Sequence, residues 1–351
     1  MKSGKHILLL IPGFPANEQD DTCFPPVQVM LEQFRKQEPD FYFSVVTVRY
    51  PFTTKKYQWK GMDVYPCNGG GKKGFARILG WWRVMGLFKK IHGSNPVDLV
   101  HSFWFTECVM LGEWLHAKYA VPHINTLMGQ DALDGNKYLH RKNLQKVPVI
   151  VLSERHAAAF QKSCGRLPAA LVGWGTENFS NAGKQKEYDV IVAGSLIPVK
   201  RPFLAIEAAK QLVQKNPGFK MGIAGDGPLR KELNRQVLQS GLESHVFFAG
   251  ACSRMEVISL MQKSRVLLHT SSYESFGFVF AEALECNIPI VSFAVGIAEE
   301  SDYWSVVKNA EEIPPAIEKF LGEPPSKAAF ATFPVSATVN AYAELYRKYA
   351  S

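Results

Sequence analysis

Short apolar runs alternate with longer stretches of helical periodicity along almost the whole chain, and this alternation constrains the fold more than any other feature. In the first half, residues 7–11, 42–48, 99–103, 123–127 and 149–152 are nearly continuous in apolar character and too short for helices, so they read as buried strands. Residues 27–37, 75–91, 106–118 and 154–163 between and after them carry helical patterns. Strand followed by helix followed by strand builds a parallel sheet covered by helices. A second series begins at Tyr188, with strands over 190–193, 220–224, 246–248, 266–269 and 288–293 and helices over 203–214 and 229–239. The polar stretch 180–187 between the two series reads as a linker. With 351 residues, 46% of them hydrophobic, the chain has enough material for two cores. The expected architecture is therefore α/β with two domains, 1–178 and 179–338, and a last helical segment over 339–350.

Within the second series, the stretch 271–284 (SSYESFGFVFAEAL) sets Glu274 in a turn and Glu282 on the helix that the turn opens. Backbone amides near Ser275, Phe276 and Gly277 at such a helix start favour an anion such as a diphosphate. From their two positions the acids reach different hydroxyls of one ligand, for instance a sugar ring and a ribose. Upstream, Gly194 follows a strand and Lys200 comes six residues later, which is how a strand-to-helix loop offers backbone and charge to phosphate. The turn Gly225-Asp-Gly-Pro228 reads as structural, its glycines allowing a sharp redirection. No G-x-G-x-x-G occurs there or at Pro12-Gly-Phe-Pro15, which argues against a dinucleotide-dependent oxidoreductase.

The E-x7-E spacing with S-F-G inside it resembles the signature of family 4 retaining glycosyltransferases, which have the GT-B fold of two facing Rossmann-like domains, each with a mostly parallel sheet. The resemblance implies transfer of a sugar from a nucleotide-diphosphate sugar to the hydroxyl of a glycan or lipid-linked acceptor, in cell-surface glycan or glycolipid synthesis, with no metal and no cofactor. It places Glu274 on the donor sugar and Glu282 on the ribose, and matches Lys200 to the family's diphosphate-clamping lysine. Gly194, Ser195, Gly250, Ser275, Phe276, Gly277, Phe278 and Glu299 fall at further donor-binding positions, and Gly13, Phe103, Gly129 and Asp131 at acceptor-side ones. His101 stands in the match to a strand ending D-x-x-H-x-H, with Phe103 in place of the second histidine, and is the remaining catalytic candidate. Two other departures are Ser195 where the family commonly has arginine and Met128 where it has histidine. They keep two alternatives open: a non-catalytic nucleotide- or glycan-binding protein of the same fold, and a sugar-nucleotide epimerase.

Charge is unevenly spread. Residues 1–178 hold 22 Lys and Arg against 14 Asp and Glu, whereas 179–351 hold 18 of each. The surplus favours an anionic partner for the first domain, and the absence of a recognised module argues against nucleic acid. Residues 72–91 interleave cations with bulky apolar groups at helical spacing, and two readings stand: a domain helix with its apolar side in the core, or a peripheral contact with anionic lipid. Neither a membrane-spanning run nor a signal-peptide pattern is present, so the expected location is cytoplasmic, with the inner membrane face as the peripheral option. The six cysteines show no C-x-x-C pair and are expected to be reduced and mostly buried.

Overall fold

The computed structural model describes residues 4–72, 74–179, 185–323, 325 and 332–350; Lys73 and most of the expected linker lie outside them. The chain divides into two compact units, Met1–Gly175 with Val335–Ser351, and Thr176–Pro334.

The first unit runs β1 (Lys5–Gly13), α1 (Pro25–Gln37), β2 (Phe41–Tyr50), β3 (Tyr57–Trp59), β4 (Met62–Pro66), α2 (Gly74–Ser94), β5 (Leu99–Phe103), α3 (Glu107–Tyr119), β6 (His123–Thr126), β7 (Val149–Val151), α4 (Glu154–Cys164) and β8 (Ala170–Leu171). Its sheet has the order β3-β4-β2-β1-β5-β6-β7-β8, parallel throughout except for the β3–β4 hairpin. That hairpin was not visible in the pattern, since its strands are short and its turn is Lys60-Gly61 with both φ angles positive, 45° and 76°. A two-residue turn of this hand matches strand twist, yet lysine is an unusual residue to begin it.

In the second unit come β9 (Tyr188–Ala193), α5 (Phe203–Lys215), β10 (Met221–Ala224), α6 (Arg230–Gln239), β11 (Val246–Gly250), α7 (Arg254–Gln262), β12 (Ser264–His269), α8 (Phe278–Glu285), β13 (Ile290–Phe293), β14 (Trp304–Val307) and α9 (Ile313–Gly322). All six strands are parallel, in the order β11-β10-β9-β12-β13-β14. The chain works outward from β9 to β11 and then returns to add β12 on the other side. This reversal opens a crevice beyond the carboxyl ends of β9 and β12, the position where open α/β sheets take ligands. The first sheet reverses in the same way between β1 and β5.

The last helix, α10 (Val335–Tyr349), begins four residues earlier than its pattern suggested and belongs to the first unit. Tyr346 on it is buried against Phe34 of α1 and Phe41 and Phe43 of β2, with ring centroids 5.7, 5.8 and 6.2 Å away. All six cysteines are free; Cys67, Cys108 and Cys286 are buried, while the other three are only half-buried, fewer than expected.

Candidate active site

At the reversal in the second sheet, the loop after β9 and the loop after β12 are sewn together. Ser272 N–H donates to the Val199 carbonyl (2.8 Å), Thr270 Oγ1 to the Lys200 carbonyl (2.7 Å), and Arg201 Nε to the Thr270 carbonyl (2.8 Å). These bonds fix Lys200 beside Glu274, with which it forms an ion pair. His269, the last residue of β12, is buried and its Nε2 lies 2.8 Å from Glu274 Oε1. An ionised carboxylate only accepts, so Nε2 carries the proton and donates. Burial pushes the Glu274 carboxyl up, but the His269 hydrogen bond and the Lys200 charge outweigh it and bring it down to about 2. Glu274 is thus an anion with two donors already on it.

Glu282 is in the opposite condition. It is buried on α8, and Arg254 Nε at the start of α7 donates to its Oε1 at 2.7 Å. The same guanidinium donates through one amino group to Thr176 Oγ1 and Glu177 Oε2, both at 2.8 Å. Burial drives the Glu282 carboxyl up to about 7, which the Arg254 pair offsets only in part and the Glu177 charge reinforces. Sequence reasoning missed both Arg254 and His269. The first was signalled by S-x-x-E at Ser253–Glu256, which forms a capping box that starts α7. The second was signalled by its place at a strand's carboxyl end, beside the switch point.

Gly277 caps α8 at φ 83°, its carbonyl accepting from Phe280 N–H (2.9 Å), and a helix start of this kind turns its first amides toward the loop before it. Ser275 and Phe276 are buried in the loop before it. That loop is held from behind by the loop after β13: Ile297 N–H donates to the Phe276 carbonyl (3.0 Å), and a Cβ on Gly296, whose φ is 55°, would stand 2.1 Å from the same oxygen. Glycine is required there for both reasons. Glu299, farther along this loop, is exposed. Gly194 and Gly250 end β9 and β11 on either side of Gly225, with Gly194 N–H bonded to the Ala224 carbonyl (3.0 Å) and Gly225 N–H to the Gly250 carbonyl (2.8 Å). Three adjacent strand ends therefore present backbone with almost no side chain. Ser195 is exposed and leaves the second expected cation missing. Arg201 does not replace it, because its guanidinium is spent on the Thr270 and Ser271 carbonyls and lies over the Phe293 ring at 4.1 Å.

The first-unit candidates fare differently. His101 is 0% exposed, with Nδ1 2.8 Å from the Tyr346 hydroxyl and Nε2 2.8 Å from Thr126 Oγ1. Burial holds its basicity well below the usual range. Expected as catalytic, it is instead a satisfied core histidine that ties α10 to the sheet. Phe103 is likewise fully buried and offers no surface to an acceptor. Asp131 is buried too, its carboxylate accepting the amides of Phe105 (2.7 Å) and Gly129 (2.6 Å), so it braces a loop. Gly129 is half-buried in that loop, and its carbonyl accepts from His156 Nε2 at 3.3 Å. Gly13 is buried at the end of β1, 3.4 Å from the Phe24 ring by its would-be Cβ. Beyond it, Phe24 and Trp104 hold left-handed backbone, φ 53° and 65°, with their rings 4.2 Å apart. Bulky residues adopt that conformation rarely, and such departures cluster at working sites.

Among the described residues no group of three or more His, Cys, Asp or Glu is placed to hold a metal ion. No described helix is long and apolar enough to cross a membrane.

The fold agrees with comparisons to known proteins. An uncharacterized glycosyltransferase of Methanocaldococcus jannaschii is 28% identical over 277 residues, 77% of this chain and 75% of the relative. Sucrose-phosphate synthase from Thermosynechococcus elongatus superposes with a TM-score of 0.78 at 18% identity, covering 98% of each chain. Anabaena HepE, solved in complex with UDP and glucose, does so at 0.71 and 18%, covering 97% of this chain and 99% of that one. Residues 176–332 match the family described as glycosyl transferases group 1. That match lies in the second unit, and the chain as a whole has the two-sheet GT-B fold.

Proposed function

We propose that the protein moves a sugar from a nucleotide-diphosphate sugar to an acceptor hydroxyl with retention at the anomeric carbon, in the synthesis of a cell-surface glycan or glycolipid. The observation that carries this reading is the Lys200–Glu274–His269 cluster set against the start of α8 at the switch point of the second sheet. In the reaction the bond from the anomeric carbon to the diphosphate oxygen breaks, and its electron pair leaves with the diphosphate. Lys200 and the first amides of α8 meet that growing charge. The acceptor oxygen bonds to the anomeric carbon on the same face, and its proton passes to the departing phosphate oxygen. Glu274, held ionised at about 2, accepts from sugar hydroxyls and is too weak a base to take that proton. Glu282 accepts from the ribose. Trp104 and Phe24 supply an apolar platform at the switch point of the first sheet, suited to stack on an acceptor sugar.

Isothermal titration with UDP, GDP and ADP and their sugar conjugates, on wild type and Glu282→Ala, tests the donor site. One nucleotide should bind and be weakened by the substitution, and the sugar conjugate of that nucleotide should be consumed only with acceptor present, equally well in EDTA. Failure to bind any of them would overturn the reading. Consumption without acceptor would replace it with an epimerase or hydrolase.

A further inference from the structure

Helix α2 buries Val84, Phe88 and Ile91 in the first unit's core, as an ordinary domain helix does. Its other side is apolar as well. Phe75, Ile78, Leu79 and Trp82, spaced i, i+3, i+4, i+7, form a second stripe about half a turn from the first, and Phe75 is 73% and Trp82 68% exposed. The first reading of this stretch, a domain helix with its apolar side in the core, is thus realised by the inward side. The outward stripe cannot roll inward, because Arg77 and Trp81 are anchored on buried Glu107, at 2.8 and 3.0 Å. With Trp114 of α3, itself exposed, Ile78 and Trp82 of that stripe border an apolar groove of about 580 Å³.

Charge identifies what covers this surface. No Asp or Glu occurs between Asp63 and Asp98, while Lys89 and Lys90 follow the stripe on the same side of α2, and Lys118 borders the groove from α3. All three cations are exposed. Contiguous exposed aromatics mark an interaction surface, and a rim of lysine without acids selects an anionic one. We infer that the outward side of α2, with Trp114, docks the protein on an anionic lipid bilayer surface, Phe75, Leu79 and Trp82 entering the interface and Lys89, Lys90 and Lys118 facing the headgroups. The inference rests on the first unit alone and is independent of the donor chemistry proposed above.

Cosedimentation of the full chain with phosphatidylcholine vesicles, and with vesicles also containing phosphatidylglycerol, at low and high salt, tests it. Wild type should pellet with the anionic vesicles and be released by salt. Each lysine near the surface is worth about 1 kcal/mol, or about fivefold, so Lys89→Gln with Lys90→Gln should weaken partitioning about thirtyfold. Leu79→Ser with Trp82→Ser should abolish it. Circular dichroism and the thermal unfolding midpoint should be unchanged in both variants, which shows that they are folded and separates this test from that of the reaction. Wild type remaining in the supernatant, or pelleting equally with phosphatidylcholine alone, would overturn the inference. So would light scattering that shows a dimer split by the Leu79→Ser and Trp82→Ser pair, which would assign the face to a second copy of the chain.

Discussion

Replacing Glu282 by Gln should stabilise the second unit while weakening its donor binding, and the size of the effect follows from the burial of one carboxyl. The group's ordinary value is 4.5 and burial takes it to about 7. A folded-state value above the unfolded one stabilises fully below pH of about 4.5, and that contribution is lost as pH rises through about 7. At about 1.36 kcal/mol per pH unit, the gap from 4.5 to about 7 sets a ceiling of about 3 kcal/mol on what ionised Glu282 costs the fold. Between pH 5 and pH 8 the cost grows by about 2–3 kcal/mol. Glutamine keeps an oxygen that accepts from Arg254 Nε, and Arg254 keeps Glu177, so no charge is stranded. For a unit of this size 1 kcal/mol moves the midpoint by about 2–4 °C. Calorimetry at pH 8 should then place the Glu282→Gln transition about 5–10 °C above wild type, with the gap mostly closed at pH 5. The same substitution should raise donor KM. A variant that melts no higher than wild type at pH 8, or a gap that does not widen from pH 5 to pH 8, would refute the assignment of Glu282 as a buried acid kept at a cost to stability.

Lys200→Ala removes the cation that meets the leaving diphosphate and should lower kcat by about 10²-fold or more, with a smaller change in donor KM; unchanged turnover in steady-state assays would remove Lys200 from the reaction. His101→Leu strands the Tyr346 hydroxyl in the core and should cost about 1–3 kcal/mol in denaturant unfolding while leaving kcat within about twofold, whereas a loss of turnover in the folded variant would return His101 to the site.

Much of the fold was legible because parallel strands buried on both faces are continuous apolar runs, and ten of the fourteen strands among the described residues announce themselves so, from β1 to β13. What escaped was short or held by partners distant in sequence: the β3–β4 hairpin, β8 and β14, and the helices α7 and α9. The site divides along the same line. Positions set by local backbone need, such as Gly277 before α8, can be read from their neighbours. Whether a histidine faces a crevice or a core cannot, because His101 and His269 both end or nearly end apolar strands, and only packing from α10, more than two hundred residues away, makes the first structural.

Packing also gives two glutamates eight residues apart different chemistry. Glu274 sits where two loops meet, with one donor from each, and is ionised at any working pH. Glu282 sits one helix in, with a single guanidinium that a second acid shares, and titrates near neutrality. Hydroxyls that donate to Glu282 favour its charged form, so under the proposed donor placement binding of the ribose and release of the Glu282 proton are coupled. Donor affinity should therefore rise as pH increases from 5 to 8, the reverse of the trend in stability. The acid that costs the free protein most at pH 8 is the one whose charge the bound ligand uses.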